Sequence, residues 1–389
     1  MRRTHPRHLV LALLLVLQGA VAPEAPAAAA RFAAATFDPL VTDGIRRGAY
    51  PGAVLVVGRH DVILFAKGYG HFTWSPASRA MDPDSTLFDL ASLTKVVATT
   101  TALMILVERG QVDLDAPVTR YVPEFQTPAI TVRQLLTHTS GLRADIPTPE
   151  LRAIPDSAAL MRRVLAEVPR VPPGTRVIYS DLNAILLGEV IRRVTGEPLD
   201  VFAAKEIFTP LGLQATLFRP PPRLHPRIAP TGVWRGRAVA GVVNDASAFK
   251  LRGVSGNAGL FATAADIGRF AQFMLTRGVS SDGRRLLRAE TVRLFTAKAT
   301  VGGNEARTLG WQALPTGEET SSAGTLFGPA SYGHTGWTGT SLWIDPDRDL
   351  FVLLFTNRAY APRARKPFTI VKQVRASLAD AAAHAADAR

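Results

Sequence analysis

The chain has 389 residues, 47% apolar and 20% charged, the composition of globular material with room for two ordinary domains or one large domain carrying an insertion. It contains no cysteine, which excludes disulfides, thiolate nucleophiles and zinc–thiolate sites. The formal charge of +13 is spread over scattered arginines, without a long Lys/Arg block or an aromatic-interleaved basic stripe, so no nucleic-acid partner is expected.

Arg2, Arg3 and Arg7 precede a short apolar run, Leu9 to Leu17, and the small-residue triplet Ala20-Val21-Ala22. Residues 1–30 therefore read as a cleaved secretory signal with an Ala/Pro-rich tail, which predicts a periplasmic or secreted protein. No later stretch reaches 18 uninterrupted apolar residues, so no membrane span is expected in the mature chain.

Phe37 to Ala49 has helical spacing. Gly52 to Gly58 and Val62 to Gly70 read as two strands of a hairpin turning at Arg59-His60-Asp61. An apolar helix follows through Ser92 and Lys95 to Arg109, stopped by Gly110. Helical segments continue at Val132 to Thr137, Ser157 to Glu167, Leu182 to Thr195, Asp200 to Ile207 and Ala264 to Leu275, joined by Pro-rich connections. Strands return at Thr308 to Leu314, Gly333 to Gly339, Thr340 to Ile344 and Leu350 to Thr356, and a helix from Phe368 to Ala386 closes the chain. The order predicts an α/β fold, with an antiparallel sheet built from both ends of the chain and flanked by helices. Residues 37–97 and 300–389 form the sheet domain, and 98–299 a mostly helical insertion. A cleft between them is the natural place for a site.

Three stretches carry chemistry. In Phe88-Asp89-Leu90-Ala91-Ser92-Leu93-Thr94-Lys95, the serine and lysine stand three apart. On a helix they share a face, and the lysine reaches the hydroxyl near a helix start that favours an oxyanion. An ordinary helix with one polar face has the same pattern. Tyr179-Ser180-Asp181 precedes a long helix, where the phenol serves either as a general base in the cleft or as a half-buried ring with one hydrogen bond. Tyr332-Gly333-His334-Thr335-Gly336-Trp337-Thr338-Gly339 reads either as a strand edge open to a bound acyl group, with His334 as a ring donor and Gly333 and Gly336 admitting a ligand, or as a Gly-rich strand with a satisfied histidine. Gly253 to Phe261 is either a helix-entry turn or a cleft wall. The eight histidines have no metal spacing, and there is neither a G-x-S-x-G elbow nor a phosphate loop.

Together these stretches resemble the serine β-lactamase and penicillin-recognising superfamily in its class C branch, which includes D-alanyl-D-alanine carboxypeptidases and esterases. Ser92-x-x-Lys95 resembles the S-x-x-K element, Tyr179-Ser180-Asp181 the Y-x-N element and His334-Thr335-Gly336 the K-T-G element in its H-T-G form. Leu135 to Leu142 and Gly256 to Phe261 also match, and the likeness runs from about Phe37 to Asn357. Asp181 stands where Asn is usual, and His334 where Lys is usual.

The resemblance implies a hydrolase forming an acyl-enzyme on amide, lactam or ester substrates, peptidase- or esterase-like rather than a true β-lactamase. Ser92 is the implied nucleophile, Lys95 and Tyr179 relay its proton, and His334 polarises Tyr179. The Ser92 and Trp337 N–H groups are the implied oxyanion donors, and Asp181, Thr335, Gly336 and Trp337 bind substrate. No metal or organic cofactor is implied. The partner is a small molecule or a peptidoglycan peptide, and oligomeric state is left open. The other readings are a wall-binding protein that kept the fold without turnover and a membrane-tethered scaffold using an uncleaved N-terminus.

Overall fold

The computed structural model describes residues 32–299, 307–315 and 321–388, so the expected signal segment at 1–30 lies outside the described residues. Helix α1 (Ala34–Arg46) buries Phe37 and Val41 on one face. It leads into β1 (Gly52–Gly58), buried along its whole length, and β2 (Ile63–Gly70), which is partly exposed as an edge strand should be. β3 (Phe88–Asp89) precedes an irregular helix in three registers: a 3₁₀ turn at Ala91–Leu93, a π turn at Lys95–Thr100, and α2 (Thr101–Glu108). This segment is long and apolar enough to cross a membrane, but it is mostly buried in the core.

The middle of the chain supplies short helices and α3 (Asp181–Thr195), which ends at Gly196 with φ of 72°. It also holds β4 (Leu217–Phe218), the small hairpin β5 (Gly232–Trp234) and β6 (Arg237–Val239), β7 (Leu260–Ala262), and α4 (Ala264–Leu275). The last quarter adds β8 (Gln312–Ala313), β9 (Tyr332–Thr335), β10 (Ser341–Asp345), β11 (Leu350–Thr356) and α5 (Pro367–Asp387).

The main sheet is antiparallel with order β2-β1-β11-β10-β9-β8, so strands from opposite ends of the chain pair side by side. Alternation along β1 and β11 divides the interior in two. Ala53, Leu55, Val57, Val352 and Leu354 face α1 and α5, packing with Phe37, Val41, Val371 and Leu378. Val54, Val56, Phe351, Leu353 and Phe355 face the other way, toward Ile267 and Phe270 of α4 and the buried helix after Ser92. The fold is the expected α/β class, a sheet between helical layers.

A second sheet, β3-β7-β4, sets Phe88 opposite Ala262 and Asp89 opposite Phe261. It anchors the chain immediately ahead of Ser92. Two expectations shorten: Thr308 to Leu314 contains only the two-residue β8, and the strand expected over Gly333 to Gly339 stops at Thr335, with Gly336 to Gly339 forming a turn.

Candidate active site

Ser92 is approached through a strained residue. Ala91 has φ of 46°, in the left-handed region that is costly for a residue with a Cβ. Asp89 holds this conformation. Its buried carboxylate accepts the Ala91 N–H at 2.9 Å and the Asn244 N–H at 2.7 Å. Burial pushes the Asp89 carboxyl up to about 6, against the pull of those two donors.

One turn on, Lys95 is almost wholly enclosed. Its Nζ donates to Ser92 Oγ at 2.9 Å and to the Asn257 carbonyl at 3.0 Å, and pairs with Asp181 Oδ1 at 2.6 Å. Two of its protons go to the Ser92 and Asn257 oxygens, and the Asp181 carboxylate and the Tyr179 phenol both lie against the same charge. Burial works against the charge, but Asp181 and Tyr179 outweigh it and hold Lys95 above the ordinary lysine range. In this arrangement Lys95 is a donor to Ser92; it can take a proton only after giving one up. Asn257 comes from the Gly-rich stretch before β7, and the adjacent Gly256 carbonyl accepts from Thr99 Oγ1 at 2.8 Å. That stretch is a wall of the site.

Tyr179 stands just before α3, between two histidine rings, with centroids 4.6 Å from His138 and 5.9 Å from His334. The Lys95 ammonium and the Arg307 guanidinium lie 5.1 and 5.3 Å from its ring centroid. His138 Nδ1 accepts from the Ser180 N–H at 3.1 Å and from Asn183 Nδ2 at 3.3 Å, which places the ring proton on Nε2. Burial, then Arg307 and Lys95, drive His138 well below the usual histidine range.

His334 differs from expectation. Its Nδ1 lies 2.9 Å from the Thr335 carbonyl, which can only accept, so Nδ1 carries the proton. The buried Nε2 has no partner among the described residues and offers a lone pair. The ring therefore presents an acceptor to the site, where a donor was expected. Burial, followed by Lys95 and Arg307, lowers it to about 3, so it carries no charge at neutral pH.

This has a consequence for acid stability. The unfolded ring binds a proton near pH 6.5, while the folded ring refuses one down to about 3. Stability linked to the neutral ring is complete above pH 6.5 and drains away as pH falls toward 3. His334→Asn removes that liability, so the variant should gain on the parent in melting temperature between pH 6.5 and 4. An equal difference at pH 7.5 and 4.5 would refute this.

After β9 the chain turns tightly. The Gly336 carbonyl accepts the Gly339 N–H at 3.1 Å, which leaves Trp337 at the corner with its indole 62% exposed. The turn is tied to the approach to Ser92: Thr338 Oγ1 donates to the Asp89 carbonyl at 2.7 Å and Thr340 Oγ1 to the Leu90 carbonyl at 3.0 Å. The two backbone stretches implied as oxyanion donors are thus laced together.

Gly336 and Gly333 leave room for protein rather than ligand. A Cβ on Gly336 would meet Thr340 Oγ1 at 2.2 Å and the Leu90 carbonyl at 2.5 Å; one on Gly333 would meet the Leu342 carbonyl at 2.5 Å and the Trp343 ring. Gly336→Ala should therefore push the turn off the Ser92 segment, lowering melting temperature and catalytic rate together. Unchanged kinetics in that variant would show that the lacing is dispensable.

The structure brings Ser92, Lys95, Tyr179, Asp181 and His334 into one cluster, with Thr335, Gly336 and Trp337 along its edge. Sequence reasoning did not single out Asp89, Asn183, Asn257 or Arg307 as site residues. His138 belonged to a matched stretch but was given no role.

The beta-lactamase family profile matches residues 34–375. The chain belongs to the beta-lactamase family. It is 33% identical over 361 residues to an Escherichia coli K12 relative named as a D-alanyl-D-alanine carboxypeptidase, covering 81% of this chain and 80% of the relative. It is 33% identical over 365 residues to the Bacillus subtilis N-acetylmuramyl-L-alanine amidase, covering 84% and 81%. A solved penicillin-binding protein homologue from Caulobacter crescentus superposes with a TM-score of 0.71 at 22% identity, covering 93% of this chain and 99% of that one. This beta-lactamase-family chain is a serine hydrolase.

Proposed function

We propose that this hydrolase cleaves amide bonds in peptidoglycan peptides through an acyl-Ser92 intermediate, in the periplasm or outside the cell. The observation that carries the reading is the fully engaged ammonium of Lys95, 2.9 Å from Ser92 Oγ and fixed by Asp181 and Asn257. Such a group orients the nucleophile and offsets negative charge beside it, while the proton acceptor lies elsewhere. Tyr179 is placed for that work.

Ser92 Oγ bonds to the substrate carbonyl carbon, and the carbonyl π electrons move to oxygen. The Tyr179 hydroxyl, next to the Lys95 charge, relays the serine proton. The Ser92 and Trp337 N–H groups receive the oxyanion. The C–N bond then breaks, with the Tyr179 proton going to the departing nitrogen. Water repeats the sequence on the acyl-Ser92 ester and releases the acid. His334 Nε2 is an acceptor for a substrate N–H.

Two features support amide peptides over lactams. The relatives at 33% identity are named for amide cleavage in wall peptides. The neutral His334 ring lacks the charge with which a lysine would grip a lactam carboxylate. Export rests on residues 1–30 of the sequence alone.

The test is product analysis with a muropeptide, a penicillin and an activated short-chain ester in parallel, together with intact-protein mass and Ser92→Ala as control. Ser92-dependent release of an amine from the muropeptide, with penicillin forming at most a lasting adduct on Ser92, is the expected result. Ring-opened penicillin released rapidly, or turnover of the ester alone, would overturn the substrate assignment.

A further inference from the structure

Two arginines lie buried behind the turn that carries Trp337, and no carboxylate pairs with either among the described residues. Arg358 follows β11 and is 5% exposed; Arg375, on α5, is 3% exposed. Every ion pair of the described residues involves other cations, and the Nε atoms of both arginines have no hydrogen-bond partner. Burying a guanidinium without a counter-charge is expensive, so a fold keeps one only where something repays it. Burial, and then the charge of Arg358, lower Arg375 to about 9, while burial alone lowers Arg358.

What the two side chains do contact is specific. Arg358 Nη2 donates to the Trp337 carbonyl, and its guanidinium lies over the Trp337 ring at 4.6 Å and the Phe368 ring at 5.3 Å. The Trp337 and Phe368 rings stack with centroids 6.1 Å apart. Arg375 Nη2 donates to the Thr340 carbonyl at 2.7 Å, and the same carbonyl accepts the Gly336 N–H at 2.7 Å. One arginine thus grips the corner of the turn and the other its base. The Gly336–Trp337 peptide, whose N–H belongs to Trp337, sits between the two held carbonyls.

We propose that Arg358 and Arg375 are positioning residues for the oxyanion site: they fix the Gly336–Gly339 turn through the Trp337 and Thr340 carbonyls and place two uncompensated positive charges behind it. The inference rests on the acyl-Ser92 reading, though not on the identity of the substrate. Charge developing on the substrate oxygen would be met by a preorganised positive field in a region of low dielectric, where such a field acts most strongly. The protein gives up stability at these two positions and gains transition-state stabilisation.

The consequence is an opposition of signs that a purely structural role does not produce. The test compares wild type with Arg358→Met, Arg358→Lys and Arg375→Met, using p-nitrophenyl acetate in single-turnover acylation, the infrared carbonyl stretch of the acyl-Ser92 ester, and thermal unfolding. Arg358→Met should acylate roughly 10- to 100-fold more slowly, a fraction of the cost of deleting an oxyanion donor outright. Its acyl carbonyl stretch should move to higher frequency, and its melting temperature should hold or rise. Arg358→Lys should recover part of the rate, and Arg375→Met should show the same pattern more weakly. Variants that lose melting temperature and rate together, with the carbonyl stretch unmoved, would make the arginines structural and overturn the proposal. Unchanged acylation in Arg358→Met would overturn it as well. A wild type that never acylates Ser92 would overturn both this inference and the acyl-enzyme reading; a wild type that acylates with the ester but ignores muropeptides would sink only the substrate assignment.

Discussion

Replacing Ser92 with Ala should lower turnover by about 10⁴-fold or more, the scale on which removing a nucleophile acts when its partners work as a unit. The fold should be indifferent to the change. Among the described residues the Ser92 side chain bonds to Lys95, and Lys95 keeps Asn257 and Asp181 without it. Far-UV circular dichroism and melting temperature should match the parent, while acyl-enzyme mass is absent. Substantial turnover in this variant would place the nucleophile elsewhere.

Asp181→Asn should have the largest effect on stability. Asp181 supplies the only carboxylate within ion-pair distance of Lys95 among the described residues, and the ammonium is nearly inaccessible to water. Removing one partner of a buried pair strands the other charge, at a cost of about 3 kcal/mol. Because Asp181 keeps Lys95 charged, the parent retains this contribution from neutral pH up to the ordinary lysine range. In the variant, burial is no longer outweighed by the carboxylate, and Lys95 loses its proton more readily. The stability gap between parent and variant should therefore be wide at pH 7 and narrower at pH 9.5, measured by denaturant unfolding. Catalysis should shift too: an uncharged Lys95 can accept the Ser92 proton, so kcat/KM of the variant should rise with pH as Lys95 gives up its proton. A gap that does not change with pH would show that Asp181 acts by packing rather than by charge.

How much of this was readable beforehand depended on the length and regularity of each segment. α4 and β11 have the expected boundaries because each carries an uninterrupted period, 3.6 in one and a continuous apolar run in the other. The helices Thr148–Ala153 and Ala246–Lys250, and the two-residue strands β3 and β4, carry no periodicity that registers in the sequence. Gly336 to Gly339 was expected to be extended. It turns because Thr338 and Thr340 spend their hydroxyls on carbonyls some 250 residues earlier, a long-range contact that local pattern does not encode.

The site followed the same rule. Ser92 and Lys95 are three apart and announce themselves. Asp89 and Arg307 act through Ala91 and Tyr179, and their residue types alone carry no such message. His334 was visible, but which of its nitrogens holds the proton depends on the direction of the Thr335 carbonyl. The π turn at Lys95–Thr100 was also invisible, since it has the composition of an ordinary apolar helix.

The pairing of β1 with β11 also sets the order of events in folding. Val54 lies opposite Phe355, a closure spanning about 300 residues. Until β11 is made, β1 has only the edge strand β2 beside it, with the backbone groups of its other edge open to any passing strand. High contact order of this kind makes folding slow, and the vulnerable interval lasts almost as long as synthesis itself. A nascent chain interrupted before Leu350 would be a sticky hairpin attached to a helical mass, with no central partner for its buried strand. Such fragments are expected in the aggregate rather than as smaller folded products.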